Sequence, residues 1–239
     1  MKLLIIICSV CLLLSGCKRG RQTTGGPTGD LNGVAGNGGG PAQALAHLEK
    51  GKNLYRDDQD SAAAEAFQQA IQLDPDLPEA HFRLGLSYEA LNKVEEAEAE
   101  YKKAVESYKK YLESHPDDAE GHYNLGQTYA NLHQYSDAIR EYRQAVKLKD
   151  NDADMYYDLG MALTRLAQYN DAVSAFSKSL EIDPENYRAE DALEEAKEGV
   201  NRIKAGKKHQ EELLKKQKEE ELKKAESGLP VTGAAKPTP

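Results

Sequence analysis

Four glycines in the middle of this chain begin segments that share one pattern of residues. Successive glycines are 34, 41 and 34 positions apart, and an alanine follows each glycine after twelve positions. An aromatic residue follows that alanine after four positions, and a small residue comes three positions later. Spacings of four and seven bring side chains to one face of an α-helix, so each segment predicts closely packed helices. The members of the four columns are Gly51, Gly85, Gly126 and Gly160; Ala63, Ala97, Ala138 and Ala172; Phe67, Tyr101, Tyr142 and Phe176; and Ala70, Ala104, Ala145 and Ser179.

Prolines indicate where helical stretches end. Asp74–Pro75, His115–Pro116 and Asp183–Pro184 each predict a boundary, because the residue before a proline avoids the α conformation. Runs of Val and Ile, which a β-sheet would need, are absent after residue 20, whereas Ala, Glu, Lys and Leu are abundant. The sequence therefore predicts an all-α fold in which neighbouring helix pairs stack, since one pair cannot bury its own apolar face.

These columns resemble the tetratricopeptide repeat (TPR), a 34-residue unit of two helices. Leu84–Gly85, Leu125–Gly126 and Leu159–Gly160 match the Leu-Gly of its first helix. The resemblance covers residues 44–186 and implies a right-handed superhelical solenoid of about four helix-turn-helix repeats. This chain departs from the repeat pattern at three positions, which loosens individual contacts without changing the expected fold. They are Lys50, Asp150 and Ser179.

The 41-residue gap arises from a local duplication. Residues 101–107 and 108–114 are identical at five of seven positions. Seven residues make nearly two helical turns, so we expect the second helix of the second repeat to be longer with its buried face kept. Two tyrosines of the added turns, Tyr108 and Tyr111, either pack on the adjacent repeat or contact a partner.

A long helix is predicted after the last repeat, over residues 187–226. Its first half carries an apolar stripe that can cover the open end of the solenoid, as terminal repeats require. Beyond Lys207 the stripe thins among Glu and Lys, which predicts a projecting charged helix, and residues 227–239 have the composition of a disordered tail. The stripe consists of Ala189, Leu193, Ala196, Val200 and Ile203.

The chain begins with a pattern of export and lipid attachment. Residues 3–14 are almost wholly apolar and too short to span a bilayer, as in a signal peptide. Residues 14–17, Leu-Ser-Gly-Cys, resemble a bacterial lipobox, which implies a signal over residues 1–16 and a lipid on Cys17. An ordinary secretory signal is the alternative. Lys18 after the cysteine favours an outer membrane, with the chain facing the periplasm. Residues 17–43 are predicted to form the lipidated Cys and a flexible Gly-rich tether.

The sequence contains no residue pattern typical of a catalytic site. All three cysteines lie within residues 8–17, and His47, His81 and His122 occupy one repeat column, which favours packing over a metal site. We therefore expect no catalysis, no metal, no cofactor and no small-molecule substrate. The net charge of −9 argues against nucleic acid. Residues 41–200 hold 33 acidic and 17 basic side chains, which suggests a basic partner.

The first helix of each repeat lines a concave groove in the TPR family, and this resemblance implies a groove for a protein or peptide partner. Its aromatic residues, with Met and polar groups, suit peptide binding, although the rings could instead pack between helices. Phe82 and Leu86 stand where chaperone-binding TPR domains carry Lys and Asn, so recognition of an acidic C-terminus is not expected. The predicted groove residues are Leu48, Lys52, Tyr55, Phe82, Leu86, Tyr123, Gln127, Asn131, Tyr157, Met161 and Arg165.

The sequence thus predicts a membrane-anchored TPR scaffold of the cell envelope. By resemblance, the nearest functional group is the TPR lipoproteins that help to assemble or localise envelope complexes. Two alternatives remain at this point. Residues 229–233, Leu-Pro-Val-Thr-Gly, match a sortase signal, which would make the chain a cell-wall surface interaction protein. The chain could also be an accessory subunit of an envelope hydrolase.

Overall fold

The computed structural model describes residues 40–226, which belong to one compact unit, Gly38–Pro239. The predicted signal peptide, Cys17, most of the tether and the predicted disordered tail lie outside the described residues. Within residues 40–226 the chain forms nine helices and no strand, which confirms the predicted all-α fold. The helices are α1 (Pro41–Arg56), α2 (Asp60–Leu73), α3 (Pro78–Ala90), α4 (Val94–Ser114), α5 (Ala119–Asn131), α6 (Tyr135–Leu148), α7 (Ala153–Arg165), α8 (Tyr169–Ile182) and α9 (Tyr187–Glu226).

The helices pack in the order of the chain. α1 packs on α2, α3 on α4, α5 on α6 and α7 on α8, and each second helix also contacts the next first helix. α9 follows the same rule, because it packs mainly on α8 and also contacts α7. The four predicted repeats are therefore four stacked helix pairs, and α1 begins at Pro41, within the last residues of the predicted tether.

The repeat glycines allow each first helix to lie against an aromatic ring of its second helix. A Cβ atom placed on Gly126 would lie 2.6 Å from Cδ1 of Tyr142, well inside van der Waals contact. Equivalent distances to ring atoms are 2.5 Å at the other three glycines. The glycine and aromatic columns of the sequence are thus two sides of one contact. The pairs are Gly51 with Phe67, Gly85 with Tyr101, Gly126 with Tyr142 and Gly160 with Phe176.

The duplicated segment lengthens α4 to 21 residues, compared with 14 in α2, α6 and α8. Tyr108 and Leu112 in the added turns are buried, and Leu112 lies against Gly121 at the start of α5. Tyr111 is half-buried, stacks on His115 with ring centroids 4.3 Å apart, and donates a hydrogen bond to Asp118 at 2.9 Å. Both tyrosines thus take part in packing, which was one of the two alternatives.

Every turn inside a helix pair has three residues, and the middle residue has a left-handed backbone. These four residues have φ between 54° and 58° and none is glycine. Asparagine tolerates this conformation well, whereas alanine has no such tolerance because its Cβ approaches a backbone oxygen. The residues are Asp58, Asn92, His133 and Ala167.

Replacing Ala167 with glycine should raise the free energy of unfolding by about 1 kcal/mol, because glycine removes the Cβ conflict at this φ. The control is Ala99→Gly, at an exposed position inside α4, which should lower the free energy of unfolding by about 1 kcal/mol. Urea denaturation of both variants measures the two changes. Equal effects of the same sign would contradict a strained turn at Ala167.

The first part of α9 covers α8, and the rest extends away from the repeats. Ala189 and Ala196 are fully buried, and Gly199 lies so close to Tyr169 that a Cβ would be 2.5 Å from its ring. Every residue from 201 to 226 is exposed. The predicted cap followed by a projecting charged helix agrees with this arrangement.

Candidate functional site

The first helices α1, α3, α5 and α7 form the surface on which the predicted groove residues lie, and we call it the first-helix surface. α1 contacts α3, α5 contacts α7, and α7 contacts α9. Side chains also join neighbouring first helices, since Lys52 lies 3.3 Å from Glu79 and Tyr123 donates to Asp158 at 2.7 Å. Residues from different repeats can therefore act together on one ligand.

The first predicted groove column contributes more to the core than to the surface. Leu48, Phe82 and Tyr123 are no more than 9% exposed, whereas Tyr157 is half-buried. The rings of Phe82, Tyr123 and Tyr157 each lie tilted against the aromatic ring of their own second helix, with centroids 5.8 to 6.1 Å apart. Packing between helices therefore describes Phe82 and Tyr123, and Tyr157 is the member of this column with an accessible ring.

The remaining groove residues are accessible from solvent. Arg165 is exposed, and the others are half-buried, so each keeps part of its side chain free while its stem packs. This set mixes apolar, amide and cationic groups along neighbouring helices. The half-buried members are Lys52, Tyr55, Leu86, Gln127, Asn131 and Met161.

Most carboxylates of the first-helix surface are paired with a cation. Lys52 joins Glu49 at 2.8 Å and Glu79 at 3.3 Å, and Arg83 also reaches Glu79 at 3.2 Å. Two further pairs lie closer to α9, and their distances are 2.8 and 3.2 Å. They are Lys149 with Glu120, and Arg188 with Asp154.

Asp158 on α7 is held by neutral groups. Tyr123 donates its hydroxyl hydrogen to Oδ2 of Asp158 at 2.7 Å, and Gln127 donates to the same oxygen at 3.2 Å. Burial raises the pKa of Asp158 above its usual value, and these two hydrogen bonds together with the charge of Arg188 oppose that rise. The arrangement keeps a carboxylate fixed on the first-helix surface. Asp158 could not be identified from the sequence, because the four residues of its repeat column share no chemistry; they are Glu49, Arg83, Asn124 and Asp158.

Two arginines lie over rings of the first groove column. The Arg83 guanidinium is 5.7 Å from the Phe82 centroid, and that of Arg188 is 4.6 Å from the Tyr157 centroid. A cation over an aromatic face is attracted by the ring electrons. Arg188 belongs to α9, so the capping helix also supplies a side chain to the first-helix surface.

The histidine column has a packing role in the second and third repeats. Nδ1 of His81 lies 2.7 Å from Glu100, and its Nε2 lies 3.1 Å from the carbonyl oxygen of Pro75. His122 repeats these contacts with Glu141 at 2.8 Å and Pro116 at 3.1 Å. Each histidine therefore joins a second helix to the preceding turn. Among residues 40–226, no three potential ligands are grouped to hold a metal ion.

Glu100→Gln should lower the free energy of unfolding by about 2 kcal/mol at neutral pH, because the Glu100 carboxylate bonds to His81 at 2.7 Å and to Lys103 at 2.8 Å, and an amide oxygen accepts these hydrogen bonds less strongly. Burial by itself would raise the pKa of Glu100, but hydrogen bonds and charges of His81 and Lys103 outweigh it and lower the pKa below 4.5. A lowered pKa in the folded state stabilises the fold above pH 4.5, and the gain disappears as the pH falls through the folded-state pKa.

Urea denaturation between pH 7 and pH 3 measures this dependence, and the difference between Glu100→Gln and the unmodified chain should shrink with acidity. Glu106→Gln is the control, since Glu106 is an exposed residue of the same helix, and the effect of this change should stay small across the pH range. A constant difference across the pH range would contradict the role given to Glu100.

None of the helices in residues 40–226 is both long enough and apolar enough to cross a bilayer. Comparison with solved structures supports the architecture. A chain described as MamA protein is 26% identical with a TM-score of 0.50, and the match covers 80% of this chain and 98% of that one. A chain of the APC/C hetero-tetramer Cut9–Hcn1 is 23% identical with a TM-score of 0.52, covering 64% of this chain and 30% of that one. No curated protein matches the sequence.

Three family models match overlapping parts of the chain. A tetratricopeptide repeat model matches residues 76–151, a TPR repeat model matches residues 51–92, and a further tetratricopeptide repeat model matches residues 123–187. Together the matches cover residues 51–187, which is more than half of the chain and includes most of the four helix pairs. This chain therefore belongs to the tetratricopeptide repeat family.

Proposed function

We propose that this chain is a lipid-anchored scaffold of the cell envelope whose first-helix surface binds a segment of a protein partner. The observation that carries the proposal is the row of half-buried side chains that crosses neighbouring first helices. Such side chains are already partly ordered by packing, so a partner can bury them at a low cost in conformational entropy.

The chemistry of this surface suits a peptide segment. Tyr157 offers a rigid ring, Met161 an adaptable thioether, and Gln127 both a donor and an acceptor. At the two positions where chaperone-binding TPR domains carry Lys and Asn, this surface has the buried Phe82 and the apolar Leu86. An internal segment of a partner therefore fits this surface better than a free acidic C-terminus.

Lipid attachment would fix where the scaffold works. Diacylation of Cys17 supplies more than one acyl chain, and each buried CH₂ contributes about 0.8 kcal/mol to membrane binding. The Gly-rich segment after Cys17 would give the repeats a reach of roughly 30 Å from the membrane. The scaffold would then hold a partner close to the membrane and so assist the assembly or localisation of an envelope complex.

Photo-cross-linking in cells tests the binding surface. A photoreactive amino acid at Gln127 or at Met161 should form the same adduct, because these positions lie on the neighbouring first helices α5 and α7. The control position is Glu65, an exposed residue on the second helix α2, which should give no such adduct. An adduct formed equally well from Glu65, or from none of the three, would contradict the proposal.

Mass analysis of the mature protein tests the anchor. An acylated N-terminal Cys17 together with an intact Pro239 is the expected result, and Cys17→Ala should release the chain from the membrane fraction. A chain that ends at Thr232 would support the sortase alternative instead. An unacylated mature N-terminus would favour an ordinary secretory signal.

A further inference from the structure

Two carboxylates of the first-helix surface differ from their neighbours. Glu49, Glu79, Glu120 and Asp154 each have a cationic partner within 3.3 Å. In the part of the chain that the structure describes, Asp158 bonds only to Tyr123 and Gln127, and Glu89 bonds only to the hydroxyl of Tyr101 at 2.7 Å. Neither carboxylate therefore forms an ion pair with a described arginine or lysine, although the charge of Arg188 on α9 also acts on Asp158.

The hydrogen bonds of Asp158 leave one of its oxygens available. Both donors, the Tyr123 hydroxyl and the Gln127 amide, bond to Oδ2. Within residues 40–226 nothing donates to Oδ1, although a carboxylate oxygen has two acceptor sites. Asp158 is half-buried, so a cation that pairs with it is partly shielded from water and interacts more strongly than at an open surface.

The same surface already shows how it holds a guanidinium. Arg83 lies over the Phe82 ring and pairs with Glu79 at 3.2 Å. Arg188 lies over the Tyr157 ring and pairs with Asp154, also at 3.2 Å. In both cases an aromatic residue of the first groove column and an acidic side chain hold one arginine.

The third aromatic residue of the column, Tyr123, has the carboxylate but lacks the cation. Its hydroxyl is bonded to Asp158, and none of the described arginines or lysines lies over its ring or pairs with Asp158. The column therefore contains two arrangements with a paired arginine and one, at Tyr123, in which no described cation lies over the ring or pairs with the carboxylate.

We propose that the partner segment is basic and supplies this cation, with an arginine or lysine side chain paired to Oδ1 of Asp158 and a second basic side chain paired to Glu89. The inference rests on the proposed function and names the chemistry of its partner. The charge of the repeats agrees with it, because residues 41–200 hold 33 acidic and 17 basic side chains and attract a basic segment during encounter.

Fluorescent peptide pools test the inference with the full-length mature protein. Three pools of degenerate peptides, each about twelve residues long, contain Lys and Arg, only neutral residues, or Asp and Glu. The basic pool should bind measurably more tightly than the other two. Asp158→Asn should weaken its binding at least tenfold, and Glu89→Gln should weaken it less, because Glu89 is exposed.

Glu65→Gln is the matched control, since it removes the same charge from an exposed position on α2 and should leave binding unchanged. Thermal unfolding of each variant verifies that the fold is intact. Asp158→Asn keeps an oxygen for the bonds from Tyr123 and Gln127 and removes a partly buried charge, so it should not lower the melting temperature.

The outcomes separate this inference from the proposed function. Equal binding of the basic pool to Asp158→Asn overturns the inference, as does equal binding of all three pools. If in that case Met161→Arg abolishes binding, the surface still binds peptides and the proposed function stands. If no pool binds at all, both the inference and the peptide-binding function are overturned.

Discussion

Replacing Gly126 with alanine should lower the free energy of unfolding by about 3 kcal/mol. The same change inside an ordinary helix stabilises a protein by up to about 1 kcal/mol, because alanine loses less backbone entropy on folding. The expected sign is therefore opposite to that of helix propensity. It follows from one contact, in which the new Cβ would lie 2.6 Å from the Tyr142 ring.

The Tyr142 ring has little room to move away. It is 2% exposed, and the Tyr123 ring lies against it with a centroid distance of 5.8 Å. α5 and α6 would have to separate to accept the methyl group, and the loss of packing would extend along both helices. Urea denaturation measures the change, and a double-mutant cycle with Tyr142→Leu should show that most of the cost depends on the ring.

Gly206→Ala is the matched control for this prediction. Gly206 lies in the projecting part of α9, and a Cβ there would meet no atom within 4 Å. This substitution should increase helix content by circular dichroism and should not lower the stability of the repeats. A stabilising effect of Gly126→Ala as well would contradict the close approach of α5 and α6.

The helix pairs could be predicted because both sides of each contact recur in the sequence. Gly85 and Tyr101 are sixteen positions apart, and so are Gly126 and Tyr142. This repeated spacing predicts that each first helix packs on its own second helix. The longer α4 could be predicted for a similar reason, since the seven added residues leave the helical face nearly unchanged.

Spacing predicts less well which side chains of the first-helix surface are buried and which are accessible. Spacing assigns Phe82, Tyr123 and Tyr157 to one column, yet Phe82 is 3% exposed and Tyr157 is half-buried. The difference depends on what the next helix places against each ring, and Tyr157 has α9 beside it with Arg188 over its face. The free oxygen of Asp158 likewise depends on contacts between α5 and α7, which spacing along one helix does not encode.

Gly199 was missed for another reason. α9 occupies the place of a fifth first helix, but Glu194 stands seven residues after its first residue, where α3, α5 and α7 carry their glycine. Gly199 lies five residues later and contacts Tyr169, at the start of the preceding second helix. Because this contact occurs only once, no repeated residue pattern predicts it.

Removing residues 187–226 should lower the free energy of unfolding by about 4 kcal/mol or more, whereas removing residues 209–226 should leave it unchanged. The first deletion uncovers the face of α8 on which Ala189 and Ala196 are fully buried, and it also removes the partly buried Leu193 and Val200. The second deletion removes only exposed residues. Burial of a Leu or Val side chain contributes about 1.5–3 kcal/mol, which accounts for the difference.

Hydrogen exchange should locate the loss, because each repeat is stabilised mainly by its neighbours. Amides of α7 and α8 should lose protection first in the longer deletion, while α1 to α4 should keep most of theirs. Arg188→Gln separates the two roles of α9, since it keeps the apolar cover but removes the cation from Tyr157 and Asp154. If the longer deletion left α8 fully protected, the end of the repeats would not depend on α9, and its place as the fifth first helix would be wrong.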